Sequence, residues 1–325
     1  MKRTSALWSS VLMAAVTVLY LSNFFILAQD EEQEEGTCSN YTDWVHQEGD
    51  LLLYHFALTS STQDEAKFIL ANDSEIPEDV TTVVVTAAEQ TKGRGTNGRD
   101  WFGARGNTFV TICVRQKAWL QTKLTMTLLP LKVGTVMATR IDELIQGCRG
   151  NQPQETNEGL PAITTIKWPN DVLVDEQKIS GVLIESEKDW FLIGIGVNVG
   201  HAPTVPSTGA NSGRTATSIR DYCLTQFPSN SDEYVTMARE LGQNMAVDIS
   251  DWLNAHGQDT VAQSEEEQKR LLAQWRGWVD WDMILMLRDG DNKEPVEPLD
   301  IEPDGRLKIR EKCGRERLVV TDYFF

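Results

Sequence analysis

Apolar and polar positions in the first half of the chain predict buried strands, one helix between them and a longer helix after them. The runs LLLYHF, at residues 51–56, and VTTVVVTAAEQ hold enough large and β-branched side chains for buried strands. Between these runs, Ser61 or Thr62 can cap a helix, and Thr62 with Glu65 has the spacing of a capping box. NTFVTICVR, from Asn107, predicts a further strand, and apolar residues at helical spacing predict a core helix over 129–146.

The second half of the pattern predicts three more strands, two helices and a C-terminal β module. Three short apolar runs joined by turns occupy residues 164–200, and helical patterns follow near residues 231–255 and 261–277. From about Trp278, short runs alternate with DGDN and PDG turns, which is typical of a small β domain. The sequence therefore predicts two folded domains, residues 51–277 and residues 278–325.

The N-terminus has an uncharged apolar segment, residues 6–28, between two basic residues and an acidic run. Because the segment is long enough to span a bilayer and also resembles a signal peptide, we expect residues 1–28 to be a signal peptide or a membrane anchor. The flanking charges place the N-terminus on the cytoplasmic side. Residues 29–50 are acidic and poor in large apolar side chains, which predicts a linker. The expected location is a membrane or a signal-routed organelle such as a plastid, or the cytoplasm if the gene start is wrong.

The charge balance excludes a broad class of function. The formal net charge is −18, whereas a nucleic-acid binder needs a basic face that neutralises phosphates. A local exception lies between Gln90 and Lys117, where six basic residues are opposed by Asp100 alone. Such a local excess of positive charge is expected of a cleft that attracts a small anion.

The cysteines and histidines do not suggest a metal site. The five cysteines are scattered and form no C-x-x-C motif, so we expect free thiols and no disulfide framework. The four histidines are isolated in the sequence, which argues against a transition-metal site.

The stretch GRGTNGRDW, at residues 93–101, contains the pattern G-x-G-x-x-G. A dinucleotide-binding fingerprint needs a helix directly after the glycines and an acidic residue about twenty positions later. Here a predicted strand follows, Asp and Glu are absent between Asp100 and Asp142, and the protein-kinase motifs are missing. We interpret the stretch as an anion-binding loop between strands, with charge from Arg94 and Arg99. A glycine-rich surface turn is the simpler alternative.

Two further stretches carry polar groups suited to a nucleotide or a carboxylate. In KWPNDVLVDEQKISG, Asn170 and Asp171 suit base or ribose recognition or Mg²⁺, and Lys178 offers a mobile positive charge. In IGIGVNVG, two glycines permit close backbone approach, and Asn198 adds a polar group to an apolar strand. Taken singly, each stretch also has an explanation without a binding site. The first could be a capped loop, and the second could be a strand packed against a helix.

Taken in order, the three stretches resemble the sequence pattern of biotin protein ligases, also called holocarboxylase synthetases. That pattern is G-R-G-x-x-G-R-x-W, then K-W-P-N-D with K-x-x-G downstream, then G-x-G-x-N, and the resemblance covers residues 51–325. It implies an α+β, class II synthetase-like catalytic fold, with a central, largely antiparallel sheet flanked by helices, and a small C-terminal SH3-like β barrel. It also implies a monofunctional enzyme that forms biotinyl-5'-AMP from biotin and ATP, with Mg²⁺. The biotin would then pass to a lysine of the biotin carboxyl carrier domain of a carboxylase.

The resemblance implies roles for individual residues of this sequence. The catalytic residues would be Lys178, Arg94 and Asp171. The biotin-binding residues would be Ser61, Thr62, Gln63, Gln90, Gly93, Arg94, Gly95, Lys178 and Gly181. The residues near ATP or the adenylate would be Arg94, Thr96, Asn97, Gly98, Arg99, Trp101, Asn170, Asp171 and Asn198. Mg²⁺ would arrive with ATP, near Asp171, rather than in a cluster of protein side chains.

Two departures from relatives of this type matter. The pattern commonly has an arginine where this chain has Thr96, at a position expected to help to retain the reactive adenylate, so we expect adenylate retention to be weaker. The winged helix-turn-helix of the repressor type has no counterpart before residue 51, so no DNA-binding role is expected.

Two alternatives stay open on the sequence. A lipoate or octanoate transferase would share the fold, but the arginine-bearing loop, the K-W-P-N-D motif and the terminal β module favour biotin. A non-catalytic, membrane-tethered biotin or nucleotide binder is the other alternative. Arg94, Asp171 and Lys178 argue against it, because a binder has little use for charges directed at a phosphoryl centre. The sequence specifies neither the acceptor carboxylase nor the oligomeric state.

Overall fold

The computed structural model describes six ranges of the chain, which are residues 44–71, 76–149, 163–205, 214–223, 231–289 and 292–320. The predicted signal or anchor segment, residues 1–28, lies outside them, as does the linker up to residue 43. Among the helices in the six ranges, none combines the length and the apolar character needed to cross a bilayer.

An eight-stranded sheet forms the centre of the described structure. Its strands are β1 (Trp44–Glu48), β2 (Leu51–Phe56), β3 (Thr82–Ala87), β4 (Thr108–Arg115), β5 (Thr164–Lys167), β6 (Asp171–Val174), β7 (Gln177–Glu187) and β8 (Trp190–Val197). The spatial order is β1-β2-β3-β4-β8-β7-β6-β5. β2 and β3 are parallel, whereas the other neighbouring pairs are antiparallel. The predicted α+β class with a largely antiparallel central sheet is confirmed.

Helices cover both faces of this sheet. They are α1 (Thr62–Ala71), α2 (Gln116–Gln121), α3 (Leu129–Arg149), α4 (Ile219–Tyr222), α5 (Ser231–His256) and α6 (Val261–Trp278). α1 packs on one face, and α3, α5 and α6 contribute to the apolar cluster on the other. The three long helices thus begin and end within a few residues of the predicted positions.

The central strands are buried on both faces of the sheet, which holds them in fixed positions. In β3, Val84 faces one apolar cluster, while its neighbours Val83 and Val85 face the other, as the two-residue period of a strand requires. In β4, Ile112 and Cys113 divide between the clusters in the same way. Because burial of one such aliphatic side chain contributes about 1.5–3 kcal/mol, the two layers together hold these strands firmly.

A separate four-stranded antiparallel sheet lies at the C-terminus. Its strands are β9 (Leu285–Asp289), β10 (Asn292–Ile301), β11 (Leu307–Glu311) and β12 (Glu316–Val319), in the order β12-β11-β10-β9. Its buried side chains, including Val296 and Ile309, pack against Trp168, whose indole N–H also donates to the Gly305 carbonyl at 3.3 Å. The sheet fits the SH3-like module that the sequence predicts, and the boundary near Trp278 remains a prediction.

Two strand predictions need correction. Four strands, not three, occupy residues 164–200, because the turn at residues 168–170 separates two strands of only four residues each. β1 lies inside the segment predicted to be a linker and pairs with β2. Its described side chains, at residues 45–48, are exposed, so the hydrophobic pattern carried no signal for it.

The predicted capping box at Thr62 is wrong. Thr62 is the first residue of α1, and the backbone N–H of Glu65 donates to the Ser61 carbonyl at 3.0 Å. The backbone N–H and the hydroxyl of Thr62 instead donate to Gln90 Oε1, at 2.8 and 3.2 Å. The Glu65 carboxylate accepts from the Thr59 hydroxyl at 2.6 Å. Both side chains have partners outside the helix, and these partners tie Gln90 to the start of α1.

The expectation of free thiols is wrong for two of the five cysteines. Cys148, near the end of α3, forms a disulfide with Cys223, directly after α4, and their Cα atoms are 5.2 Å apart. Their separation of 75 residues gives no sequence signal for the pair. Cys113 is buried and free, Cys313 is exposed and free, and Cys38 lies outside the described ranges.

Candidate active site

A cavity of about 950 Å³ opens between the start of α1, the glycine loop and strands β7 and β8. Fourteen of the seventeen residues predicted from the sequence line it: Ser61, Thr62, Gln63, Gln90, Gly93, Arg94, Gly95, Thr96, Arg99, Trp101, Asp171, Lys178, Gly181 and Asn198. Residues that are distant in the sequence therefore meet at one place in the fold.

The other three predicted residues are placed differently. Asn170 is completely buried and does not line the cavity. Neither polar atom of its side chain has a partner within the described part of the chain. Gly98 is exposed and also lies away from the cavity wall. The side chain of Asn97 is outside the described structure.

Backbone hydrogen bonds fix the conformation of the glycine loop, which connects β3 to β4. The Lys92 N–H donates to the Ser60 carbonyl at 2.8 Å, and the Trp101 N–H donates to the Gly93 carbonyl at 2.9 Å. Inside the loop, a 3₁₀ turn spans Thr96–Gly98. The Arg99 guanidinium donates to the Thr96 hydroxyl at 2.8 Å. Thr96, where the family pattern commonly has arginine, therefore helps to fix the second arginine of the loop.

Polar side chains at the start of α1 form the inner end of the cavity. The Gln63 amide donates to the Leu183 carbonyl at 3.1 Å, while its own oxygen, Oε1, is buried and has no partner among the described residues. A Cβ at Gly194 would lie only 3.0 Å from the Gln63 amide. Glycine at residue 194 therefore makes room for the Gln63 side chain. Buried polar atoms usually have partners, so an unpaired acceptor on a cavity wall indicates a place for a ligand's N–H group.

Trp101 forms an apolar wall beside these polar groups. Its indole packs so closely on β8 that a Cβ at Gly196 would lie 2.3 Å from Trp101 Cε2. Glycine at this position of β8 therefore makes room for the ring. The Lys178 ammonium lies 5.6 Å from the centre of the Trp101 ring, so the apolar wall and the positive charge adjoin.

Five residues form what we call the Lys178 cluster: Lys167, Asp171, Lys178, Arg99 and Arg214. The Lys178 ammonium donates to Asp171 Oδ1 at 2.7 Å, and the Lys167 Nζ lies 3.7 Å from Asp171 Oδ2. Burial alone would raise the pKa of Asp171, but the Lys178 and Lys167 ammonium groups outweigh it and hold that pKa below its usual value. Burial lowers the pKa of Lys167, and nearby Lys178 and Arg214 add to the effect, while Asp171 opposes it. The cluster thus has four basic side chains and one carboxylate, and two of the four, Lys167 and Lys178, pair with that carboxylate directly.

Four other residues form what we call the Arg94 cluster: Lys67, Asp64, Arg94 and Glu185. Arg94 Nη1 lies 2.6 Å from Asp64 Oδ1, and Arg94 Nη2 lies 3.2 Å from Glu185 Oε2. Lys67 Nζ lies 3.2 Å from the other oxygen of Glu185. This cluster has two positive and two negative side chains, so its charges balance.

Asn198 closes the cavity where β8 ends. Its amide nitrogen donates to the Thr217 carbonyl at 3.1 Å, and its oxygen has no partner in the described ranges. The segment that contains Thr217 also pairs with β7, because the Lys178 N–H donates to the Thr215 carbonyl at 2.8 Å. Arg214 and Ala216 of this segment line the cavity, although neither was predicted from the sequence.

The carboxylates of these two clusters do not suit a protein-held Mg²⁺. Asp171 is shared by two lysines, and both Asp64 and Glu185 pair with Arg94. Within the described residues, no group of three or more His, Cys, Asp or Glu side chains could hold a metal ion.

Comparison with known proteins finds relatives among the biotin and lipoate ligases. The model of the biotin/lipoate A/B protein ligase family matches residues 55–200. The bifunctional ligase/repressor BirA of Bacillus subtilis is 34% identical over 161 residues, which cover 48% of this chain and 42% of that protein. The biotin–[acetyl-CoA-carboxylase] ligase of Mycobacterium tuberculosis is 32% identical over 140 residues, or 41% of this chain and 46% of that protein. The chain thus spans less than half the length of these curated relatives.

Among solved structures, a biotin protein ligase from Leishmania major in complex with biotinyl-5-AMP is 25% identical, with a TM-score of 0.51. The match covers 83% of this chain and 98% of the Leishmania chain. The likeness therefore extends well beyond residues 55–200.

Proposed function

We propose that this chain, which carries a biotin/lipoate A/B protein ligase family domain over residues 55–200, is an ATP-dependent biotin protein ligase. The observation that carries the proposal is that one cavity joins an unpaired polar acceptor on Gln63, the glycine loop with Arg94, and Lys178 with Asp171. The first suits a polar head group, and the other two suit a carboxylate and a phosphate. The Leishmania relative with bound biotinyl-5-AMP supports this choice of ligand.

The first chemical step joins two anions. A carboxylate oxygen of biotin forms a bond to the α-phosphorus of ATP, and the bond from that phosphorus to the bridging oxygen breaks, which releases pyrophosphate. Lys178, close to Asp171 and Trp101, supplies positive charge that reduces the repulsion between the reactants. Positive groups held at the point where charge builds lower the barrier, because they need no rearrangement during the reaction.

The second step transfers the biotinyl group to a lysine of a biotin carboxyl carrier domain. The neutral lysine amine attacks the acyl carbon of biotinyl-5'-AMP, the bond from that carbon to the phosphate oxygen breaks, and AMP leaves with its electron pair. The amine loses one proton as the amide forms. We propose a carboxylase carrier domain as the acceptor, in line with the name of the Mycobacterium tuberculosis relative.

We propose that the biotin head group lies at the inner end of the cavity. Gln63 Oε1 would accept a hydrogen bond from a ureido N–H group, and Gln90, held by Thr62, would define the opposite side. The Trp101 ring would cover the apolar tail. Asn198 and the Thr96–Gly98 turn would lie towards the adenylate.

Magnesium is proposed to arrive on the phosphates of ATP. The carboxylates of both clusters already have cationic partners, so the protein groups described here contribute charge and position rather than metal ligands.

The location of the enzyme is a separate proposal, which rests on sequence alone. We propose that residues 1–28 direct the chain to a membrane or to a signal-routed organelle. Fusion of residues 1–50 to a fluorescent protein tests this, because a diffuse cytosolic signal would contradict targeting.

The function is tested with the full-length protein, ATP, Mg²⁺ and a biotin carboxyl carrier domain, with the carrier mass followed by mass spectrometry. Parallel reactions contain either biotin or lipoate. We expect a gain of one biotinyl group with biotin and no gain with lipoate, and we expect Lys178→Met to lose the gain. A gain with lipoate alone would establish the alternative transferase. Binding of biotin and ATP without any gain would indicate a non-catalytic binder.

A further inference from the structure

Two carboxylates from different elements of the fold occupy the guanidinium of Arg94, which lines the cavity. Asp64 comes from the first turn of α1, and Glu185 comes from β7, more than one hundred residues later. The two acids bind separate terminal nitrogens of Arg94, at 2.6 and 3.2 Å. A phosphate or carboxylate that binds both of these nitrogens must displace the acids.

Each acid has a second source of stabilisation after it releases Arg94. Glu185 keeps Lys67, whose Nζ lies 3.2 Å from its other oxygen. Asp64 lies in the first turn of α1, where the helix dipole favours negative charge, and its side chain is 43% exposed to water. Ion pairs with this exposure contribute little to stability, so a bound anion can replace them at low cost.

From this arrangement we propose that Asp64 and Glu185 are positioning residues that compete with the substrate anion for Arg94, and so set the affinity of the cavity for the adenylate. The proposal rests on the proposed function and assigns roles to residues that have no other part in it. In the ligand-free protein, the acids hold the guanidinium at the cavity wall. When an anion binds, Arg94 exchanges two protein carboxylates for the ligand, Glu185 stays with Lys67, and Asp64 turns to water.

According to the proposal, the two acids weaken the binding of an anionic ligand, because they occupy the arginine that the ligand needs. Asp64→Asn and Glu185→Gln keep side-chain size and remove only the negative charge. Each should tighten binding of an anionic ligand about two- to fivefold, which is the range for loss of one exposed ion pair. Lys67→Met should act in the opposite direction, because Glu185 then depends on Arg94 alone.

The experiment measures affinity by isothermal titration calorimetry with the full-length protein and two probes. Biotinol-5'-AMP carries the phosphate charge but cannot transfer an acyl group, and biotinol is the uncharged control. The acid variants should bind biotinol-5'-AMP more tightly than the wild type and should bind biotinol equally. In an Arg94→Gln background, the same acid substitutions should change neither affinity, which separates competition for Arg94 from a general charge effect.

Three results would overturn the inference. They are weaker or unchanged binding of biotinol-5'-AMP by both acid variants, an equal gain for biotinol, or a gain that persists in the Arg94→Gln background. Failure of the wild type to bind biotinol-5'-AMP would instead contradict the proposed function. Since Asp64 lies at the start of a helix, Glu185→Gln provides a second variant, and thermal unfolding of each variant checks that the fold is intact.

Discussion

The Lys178 cluster and the Arg94 cluster border the same cavity and use the same kinds of side chain, but their charges are arranged differently. The Lys178 cluster has four basic residues and one carboxylate, and its closest pair, Lys178 and Asp171, is 24% and 20% exposed. In the Arg94 cluster, two basic and two acidic side chains balance, and their exposures range from 29% to 43%. The first arrangement leaves unbalanced positive charge that can act on a phosphate, whereas the second can exchange partners.

This difference indicates a division of roles: one cluster stabilises charge in the proposed reaction, and the other binds the ligand. The Lys178–Asp171 pair is less exposed than the pairs of the Arg94 cluster, so its charges interact more strongly and are screened less by salt. The Lys178 cluster, which also has an excess of positive charge, therefore suits the stabilisation of charge at the reacting phosphate. Exposed and balanced charges interact weakly, so the Arg94 cluster suits reversible capture of a ligand. The predictions that follow test this division.

The largest effect is expected from removal of the Lys178 charge. Lys178→Ala should lower the rate of biotinyl-5'-AMP formation about 10²- to 10³-fold, the usual effect of losing one preorganised stabilising group. Lys67→Ala, which removes a lysine of the other cluster, should change that rate by less than about fivefold, as expected for an exposed pair. Single-turnover assays of both variants provide the comparison, and losses of equal size would contradict the division.

A smaller effect is expected when the wall beside Lys178 is disturbed. In Gly196→Ala the new Cβ would lie 2.3 Å from Trp101 Cε2, so the indole must move from β8. An extra methyl group in a closely packed site typically costs about 1–3 kcal/mol, so biotin affinity should fall about tenfold. Gly147→Ala is the control, because a Cβ there meets no atom within 4 Å. Calorimetry with biotin measures both variants, and unchanged affinity in Gly196→Ala would show that Trp101 is not part of the binding wall.

The smallest effect is expected from pH. Burial lowers the pKa of Lys167, so this residue loses its charge at a pH below the 10.5 usual for lysine. Between the lowered pKa and 10.5 the unfolded chain binds more protons than the folded one, so stability should rise with pH while ATP affinity falls. Arginine remains charged throughout this range, so Arg94 should contribute no such change.

The KM for ATP, measured as the pH is raised, checks this expectation. Lys167→Arg should remove the alkaline rise in KM. Asp171→Asn should move the rise to lower pH, because Asp171 is the group that opposes the fall in the Lys167 pKa. An alkaline rise that is the same in Lys167→Arg and in the wild type would exclude Lys167 as its cause.

Local sequence signals predicted much of the cavity. Arg94, Lys178 and Asn198 each lie in a short stretch whose residue types suit an anion or a polar group. The order of those stretches resembled one family, and that resemblance in turn implied Gln63. The elements that carry them have clear periodic patterns, so α1, β7 and β8 could be expected close to their observed positions. What these stretches share is that their chemistry is visible within about ten residues.

The parts that were missed depend on contacts between distant segments. Asp64 and Glu185 meet at Arg94 only after α1 packs on the sheet, and the sequence has no signal for that meeting. Asn170 lies one position before Asp171, yet it faces the interior while Asp171 lines the cavity. The Thr62 capping box failed for the same reason, because Gln90, from another segment, competes for the Thr62 donors.

The central claim is that this cavity joins the biotin carboxylate to the α-phosphate of ATP. The most direct test incubates the full-length protein with ATP labelled at the α-phosphate, Mg²⁺ and biotin, without any carrier domain, and separates the labelled products. The account predicts labelled biotinyl-5'-AMP and an equal amount of pyrophosphate, both dependent on biotin and both lost in Lys178→Ala. Absence of a labelled adenylate from a protein that binds biotin and ATP would contradict it.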